Sequence, residues 1–234
     1  MIILSPGVYR GFYLDAVAVF ALQNDLFFPP VELSESDGLL AIGGDLSTER
    51  LLLAYRSGIF PWYDGDYILW WSPDPRFVLD PRDLRVSKSM KSLLKKNSFK
   101  FTMNTAFNEV IAGCRHTVRK DQDGTWITGE METAYMRLFE EGYAISAEVW
   151  DDSGLAGGLY GVKLGKVFFG ESMFSRASNA SKFAFIRLVE ALVSEGVELI
   201  DCQVYTQHLE TLGAKMISRA AFTRQLQTLI NASV

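Results

Sequence analysis

The chain has 234 residues, 48% of them apolar and 22% charged, with a formal net charge of −5. That length and composition give a folded core, as one large domain or two small ones, and exclude a disordered chain. Cys114 and Cys202 stand far apart in no metal-like spacing, and His116 and His208 are the only histidines; a disulfide scaffold and a histidine-built zinc site are excluded, and a reducing compartment is expected.

Met1 to Leu22 is fairly apolar, but Arg10 and Asp15 interrupt it, so neither a signal-peptide core nor a membrane span is expected there. A cytoplasmic location follows as the expectation. Pro and Gly cluster next, at Pro29-Pro30, Gly43-Gly44, Pro61, Pro73 and Pro75. This first third predicts short strands and turns with one helix near Ser47 to Ser57, capped by Ser47. From about Asp80 helices and strands alternate. Ser87 to Lys96 reads as a helix and Phe99 to Met103 as a strand. Phe107, Val110, Ile111 and Cys114 recur at the spacing of one helix face. Met131 to Glu141 predicts a helix ended by Gly142. Strands follow over Ala144 to Trp150, Gly157 to Val162 and Lys166 to Phe169. Ser178 to Ser194 is a long helix with Phe185, Leu188 and Leu192 inward, and Leu199 to Val204 is a buried strand. A short helix and a final one over Arg219 to Leu229 complete a mixed sheet with flanking helices.

Four constellations stand out. Between Arg82 and Lys100 lie seven basic residues, Arg82, Arg85, Lys88, Lys91, Lys95, Lys96 and Lys100, against the single acid Asp83, a local charge of +6. Such a run is a solvated helix face or a phosphate-binding surface. Trp62, Trp70 and Trp71 crowd into a turn-rich segment, and Trp126 sits in Gly124 to Thr128; each is a core residue or an aromatic face for a base or a cation. Glu171 follows the apolar strand Lys166 to Phe169, where a carboxylate is costly unless paired. Asp201 and Gln203, two residues apart on a core strand, are expected on one face of it, as a structural network or a reactive pair. Phosphate-binding loops and the nucleophile elbow of serine hydrolases are absent from the sequence.

Trp70 to Arg76 (WWSPDPR), Gly124 to Thr128 (GTWIT), Gly170 to Ser175 (GESMFS), Asn179 to Lys182 (NASK) and Leu199 to Gln203 (LIDCQ) stand in an order and spacing that resembles the bacterial leucyl/phenylalanyl-tRNA–protein transferases. Gly38 to Ser47 and Ala54 to Trp62 also match, so the resemblance runs from about Phe28 to Ala214. Where the family usually has a histidine before Ser146, this chain has Ile145. The resemblance implies an α/β (α+β) fold: a small family-specific N-terminal domain, residues 1–77, then a GNAT-like acyltransferase domain, residues 78–234, with a mixed sheet and flanking helices. It implies transfer of Leu or Phe, less readily Met, from aminoacyl-tRNA to proteins beginning with Arg or Lys, marking them for the bacterial N-degron pathway.

The reaction is aminolysis of an ester that is already activated, so positioning supplies much of the acceleration and no cofactor, metal or covalent nucleophile is expected. The resemblance assigns Gln203 to orienting the acceptor's α-amine, and Asp201 to holding Gln203 and accepting the proton, directly or through water. Proton transfer through the donor's terminal ribose hydroxyl is an equal alternative. Leu159, Phe168, Met173, Phe185, Leu188, Leu192 and Ile200 are the expected aminoacyl pocket. Glu171, Trp62 and Trp126 would receive the acceptor's cation, and Arg85, Lys88, Lys91, Lys95 and Lys96 the tRNA phosphates. Competing readings are a CoA-dependent acetyltransferase, whose pyrophosphate loop is missing here, an aminoacyl-tRNA transferase of other specificity, and a non-catalytic tRNA- or peptide-binding module.

Overall fold

The computed structural model describes residues 2–4, 18–116 and 127–231, folded around two sheets of five and seven strands. The first sheet takes β1 (Ile2–Leu4), β2 (Ala18–Leu22), β3 (Leu39–Gly43), β4 (Phe60–Pro61) and β5 (Leu69–Trp71), in the order β1-β2-β3-β5-β4. Helix α1 (Thr48–Arg56) lies between β3 and β4, and the Ser47 hydroxyl accepts from the backbone N–H of Arg50 at its start. That cap satisfies one of the donors a helix leaves open at its first turn.

The second sheet begins at β6 (Arg76–Leu79) and continues through β7 (Lys100–Met103), β8 (Ala144–Asp151), β9 (Gly154–Leu164), β10 (Val167–Ser175), β11 (Leu199–Gln203) and β12 (Lys215–Ile217). Its order is β12-β6-β11-β10-β9-β8-β7. Since Arg76 and Phe77 pair with β11 and β12, β6 crosses the boundary expected at residue 77. Helices α2 (Lys88–Lys95), α3 (Phe107–Arg115), α4 (Gly129–Glu140), α5 (Ala180–Ser194), α6 (Gln207–Thr211) and α7 (Arg219–Ile230) flank it. This is the mixed sheet with flanking helices that the sequence predicts.

Every pairing in the large sheet is antiparallel except one. β10 and β11 run parallel, and a parallel pair needs a crossover, which α5 supplies. Alternation along β10 divides the core. Val167 and Phe169 face a cluster with Tyr55, Tyr135, Ile111 and Phe222, whereas Phe168 faces a second cluster built on α5 with Phe183, Phe185, Leu188 and Leu192. The sheet is thus covered on both faces. Gly161 in β9 allows the tight approach to β10, since a Cβ there would sit 2.1 Å from the Phe169 carbonyl oxygen.

A buried ion pair between neighbouring strands β6 and β11 of the large sheet also reaches the segment that follows α1. Arg76 donates from Nε and Nη2 to the two carboxylate oxygens of Asp201, at 2.8 and 2.7 Å, and both side chains are 0% exposed. Its remaining Nη1 donates to the carbonyl of Gly58, which follows α1 with φ +76, a conformation that favours glycine. The rings of Phe60 and Phe222 lie 4.7 and 4.6 Å from the guanidinium. The WWSPDPR segment serves this junction. Trp70 is fully buried with its indole N–H on Gly43, the Ser72 hydroxyl donates to Gly58, and Asp74 accepts from the backbone N–H of Arg219.

Removing one partner of such a pair strands the other charge in the core. Arg76→Ala is expected to lower unfolding stability by about 3–5 kcal/mol, measured by urea denaturation. Replacing Arg76 and Asp201 together by apolar residues should cost less than the sum of the single changes.

Candidate active site

β10 and β11 pair only from Val167/Leu199 to Phe169/Asp201, and then diverge. Each carries an irregularity at that level: β10 between Gly170 and Ser172, β11 between Asp201 and Gln203. Bulges re-aim side chains, and these two turn Glu171 and Gln203 toward each other. The Gln203 amide donates from Nε2 to Glu171 Oε1 at 2.8 Å. Gln203 has a left-handed backbone, φ +63, and its N–H donates to Asp201 Oδ1 at 2.9 Å. The alternation that would put Asp201 and Gln203 on one regular strand face is therefore interrupted.

The divergence opens a cavity of about 480 Å³ with Glu171, Gln203, Ser175, Ser181, Thr206 and His208 among its polar lining groups. Of the expected aminoacyl pocket, Leu159, Met173, Phe185 and Ile200 line it. Phe168, Leu188 and Leu192 are buried in the core cluster that Leu159, Phe185 and Ile200 share, behind the wall rather than on it. Phe174, Cys202 and Leu209 complete the apolar surface.

Two carboxylates line this cavity, Asp201 with no exposure and Glu171 with 9%. The other oxygen of Glu171 accepts from the Tyr135 hydroxyl of α4 at 2.8 Å, and that hydroxyl is in short contact with the Tyr55 hydroxyl of α1. Burial, opposed by these hydrogen bonds and reinforced by the charge of Asp201, pushes the Glu171 carboxyl up to about 7. Both tyrosines are held well above the usual phenol range, first by burial and then by the Glu171 charge, so they act as neutral donors. Asp201 is placed differently from the proton acceptor expected of it. Both its oxygens are taken by Arg76, one of them also by the Gln203 N–H, and the group has no exposure.

Trp62 is half-buried beside Trp71, whose indole N–H donates to the Trp62 carbonyl, and it is not part of the cavity wall. Trp126 lies outside the described residues. Ile145 is half-buried against the α5 cluster. Arg85, Lys88, Lys91, Lys95 and Lys96 are all exposed, and none of the five forms an ion pair among the described residues. Met90 is the buried residue of α2, which leaves the lysines on the solvent side. Sequence reasoning missed Tyr55, Tyr135, Arg76 and His208 as parts of the site. Tyr55 and Arg76 fall inside motifs already singled out; Tyr135 carries no signal beyond its helix face. Among the described residues no cluster of His, Cys, Asp and Glu could hold a metal ion, and no helix is long and apolar enough to cross a membrane.

Comparison with known proteins gives consistent similarities. The family described as leucyl/phenylalanyl-tRNA protein transferase matches residues 78–227, and its N-terminal domain matches residues 44–74. A leucyl/phenylalanyl-tRNA–protein transferase of Christiangramia forsetii is 56% identical over 202 residues, covering 85% of this chain and 95% of that one. That of Flavobacterium johnsoniae is 54% identical over 211 residues, covering 90% and 100%. Among solved structures, L-PGS from Bacillus licheniformis has a TM-score of 0.41 at 11% identity, covering 82% of this chain and 73% of that one. A GCN5-related N-acetyltransferase from Kribbella flavida has a TM-score of 0.37 at 10% identity, covering 70% and 58%.

The elevated Glu171 carboxyl has a consequence for stability. Its ordinary value is 4.5 and its folded value about 7. Between the two, the folded chain binds a proton that the unfolded chain does not, so stability falls as pH rises through that window. The fall amounts to about 3 kcal/mol at most. Glu171→Gln should lack it, since the Gln203 amide can flip to match, and urea unfolding at pH 5 and pH 8 on both proteins measures the difference.

Proposed function

The chain belongs to the leucyl/phenylalanyl-tRNA–protein transferase family, and from that premise and the cavity we propose that it passes Leu or Phe, less readily Met, from aminoacyl-tRNA to the N-terminal Arg or Lys of acceptor proteins. It is an aminoacyltransferase. Its acceptors are thereby marked for the bacterial N-degron pathway, and it works in the cytoplasm, where both substrates are. The single observation that carries this reading is the buried Glu171–Gln203 pair at the edge of a largely apolar cavity.

The apolar wall of Leu159, Met173, Phe185 and Ile200 takes the donor side chain. One methylene in such a pocket is worth about 1–3 kcal/mol, which suits tolerance of Leu, Phe and Met over smaller residues. The acceptor brings positive charge on its α-amine and its side chain, and Glu171 is the anionic group that meets it. Gln203 orients the amine. The amine nitrogen attacks the ester carbonyl carbon, a tetrahedral intermediate forms, and the bond to the ribose oxygen breaks. The amine sheds a proton and the ribose oxygen gains one. An α-ammonium has a pKa of about 7.7–8.0, close to Glu171 at about 7, so Glu171 is matched to take that proton. Asp201 acts through Gln203 by fixing its backbone. In the alternative route the neighbouring ribose hydroxyl relays the proton and Glu171 only binds. The exposed lysines of α2 hold tRNA phosphates without reading sequence. The division into residues 1–77 and 78–234 separates the part that supplies Tyr55 from the part that supplies the cavity.

Transfer of labelled Leu or Phe from charged tRNA to a peptide beginning with Arg tests the reading directly. Gln203→Ala should lower the single-turnover rate by about a hundredfold with donor binding unchanged. Glu171→Gln should raise the KM for the peptide far more than that for aminoacyl-tRNA. A near-normal rate for Glu171→Gln at saturating peptide would select the ribose route. Lys91→Glu with Lys95→Glu should weaken charged-tRNA binding and flatten its salt dependence, because each lost phosphate contact removes nearly one unit of log–log slope; an unchanged slope would make the basic run a solvated helix face.

A further inference from the structure

His208 enters the cavity wall from α6, opposite no described partner. Its Nε2 atom is buried and makes no hydrogen bond in the described chain, whereas a buried polar atom ordinarily has one. The polar groups beside it are engaged elsewhere. The Ser175 hydroxyl donates to the Ala177 carbonyl and accepts from the Ser181 N–H, and the Thr206 hydroxyl accepts from the Leu209 N–H. Burial, and then the Lys182 ammonium, hold the His208 imidazole below its ordinary value of 6.5, so it is neutral at pH 7. His208 is therefore a polar, uncharged group of the cavity wall, in contrast to Glu171.

We propose that Nε2 of His208 binds the free hydroxyl of the donor's terminal ribose. This rests on the reading of the cavity as the donor site. The cationic acceptor is drawn to the carboxylate, and the donor's side chain fills the apolar wall. The part of the donor left over is a neutral sugar carrying one hydroxyl beside the ester. A hydroxyl both donates and accepts, so it satisfies either tautomer of a neutral imidazole. The Lys182 ammonium near His208 suits the phosphate that follows that sugar and repels a cationic acceptor. His208 is thus a donor-binding residue that sets where the ester carbonyl lies relative to Gln203.

The test compares two donors, leucyl-tRNA ending in adenosine and 3′-leucyl-tRNA ending in 2′-deoxyadenosine, with an Arg-starting peptide. Transfer by the unaltered protein from the adenosine donor is the control; its failure would overturn the family function rather than this assignment. His208→Ala should lower kcat/KM for the adenosine donor by about tenfold and change that for the deoxy donor by less than twofold, with the peptide KM unmoved. Equal losses on both donors, or none on either, would overturn the proposal. His208→Leu keeps bulk in place of the ring without the hydrogen bond and must show the same donor-selective loss. His208→Gln, which returns an amide near Nε2, should recover part of the activity on the adenosine donor alone.

Discussion

A guanidinium and a carboxylate removed together from water must answer every donor and acceptor between them, and Arg76 and Asp201 do so between neighbouring strands of the large sheet. Three nitrogens of Arg76 reach Asp201 and Gly58, and its faces meet Phe60 and Phe222. One residue thereby ties the turn after α1 and β4 to β11 and α7. The same pair sets the end of β11. Because Asp201 Oδ1 also takes the Gln203 N–H, the strand leaves its regular path there and Gln203 points at Glu171. The reactive geometry is a by-product of how the core satisfies a charge.

The two carboxylates near that point differ because their partners differ. Asp201 has a cation; Glu171 has a neutral amide and a neutral phenol, and its carboxyl rises to about 7. Environments that set neighbouring acids apart assign them different roles. Asp201 has both oxygens engaged by Arg76 and the Gln203 N–H, whereas burial lifts the Glu171 carboxyl to about 7. Tyr55 ties this arrangement to the N-terminal half, since its hydroxyl meets Tyr135, which meets Glu171. Helix α1 is therefore part of the site's support even though its residues do not line the cavity.

Much of this was legible in the sequence and some could not be. Helical spacing placed Phe107, Val110, Ile111 and Cys114 on one buried face, and Ser47 was readable as a cap. The strand expected to stop at Phe169 runs on to Ser175, because Gly170 and Glu171 end the apolar run without ending the pairing with β9. Bulges leave no trace in composition, so the meeting of Glu171 with Gln203 was hidden. Inward periodicity marked Phe185, Leu188 and Leu192 as buried, but burial in a core and exposure to a cavity give the same pattern, and only Phe185 of the three lines the cavity. Trp70 sits in a turn-rich segment and is nevertheless core, since its N–H finds Gly43.

The exposed basic residues and the buried carboxylate belong to opposite faces of the large sheet. α2 packs against α5, and α5 lends Ser181 and Phe185 to the cavity. The exposed lysines thus stand on the face of the large sheet from which the apolar wall is built, while Glu171 is braced from the opposite face by Tyr135 and Tyr55. On the proposed reading, a polyanion held on α2 and a cation drawn to Glu171 would approach the divergence of β10 and β11 from different sides. On that reading the gap between those strands is where an ester and an amine meet, bordered by Glu171 and by Asp201, whose charge is already paired with Arg76.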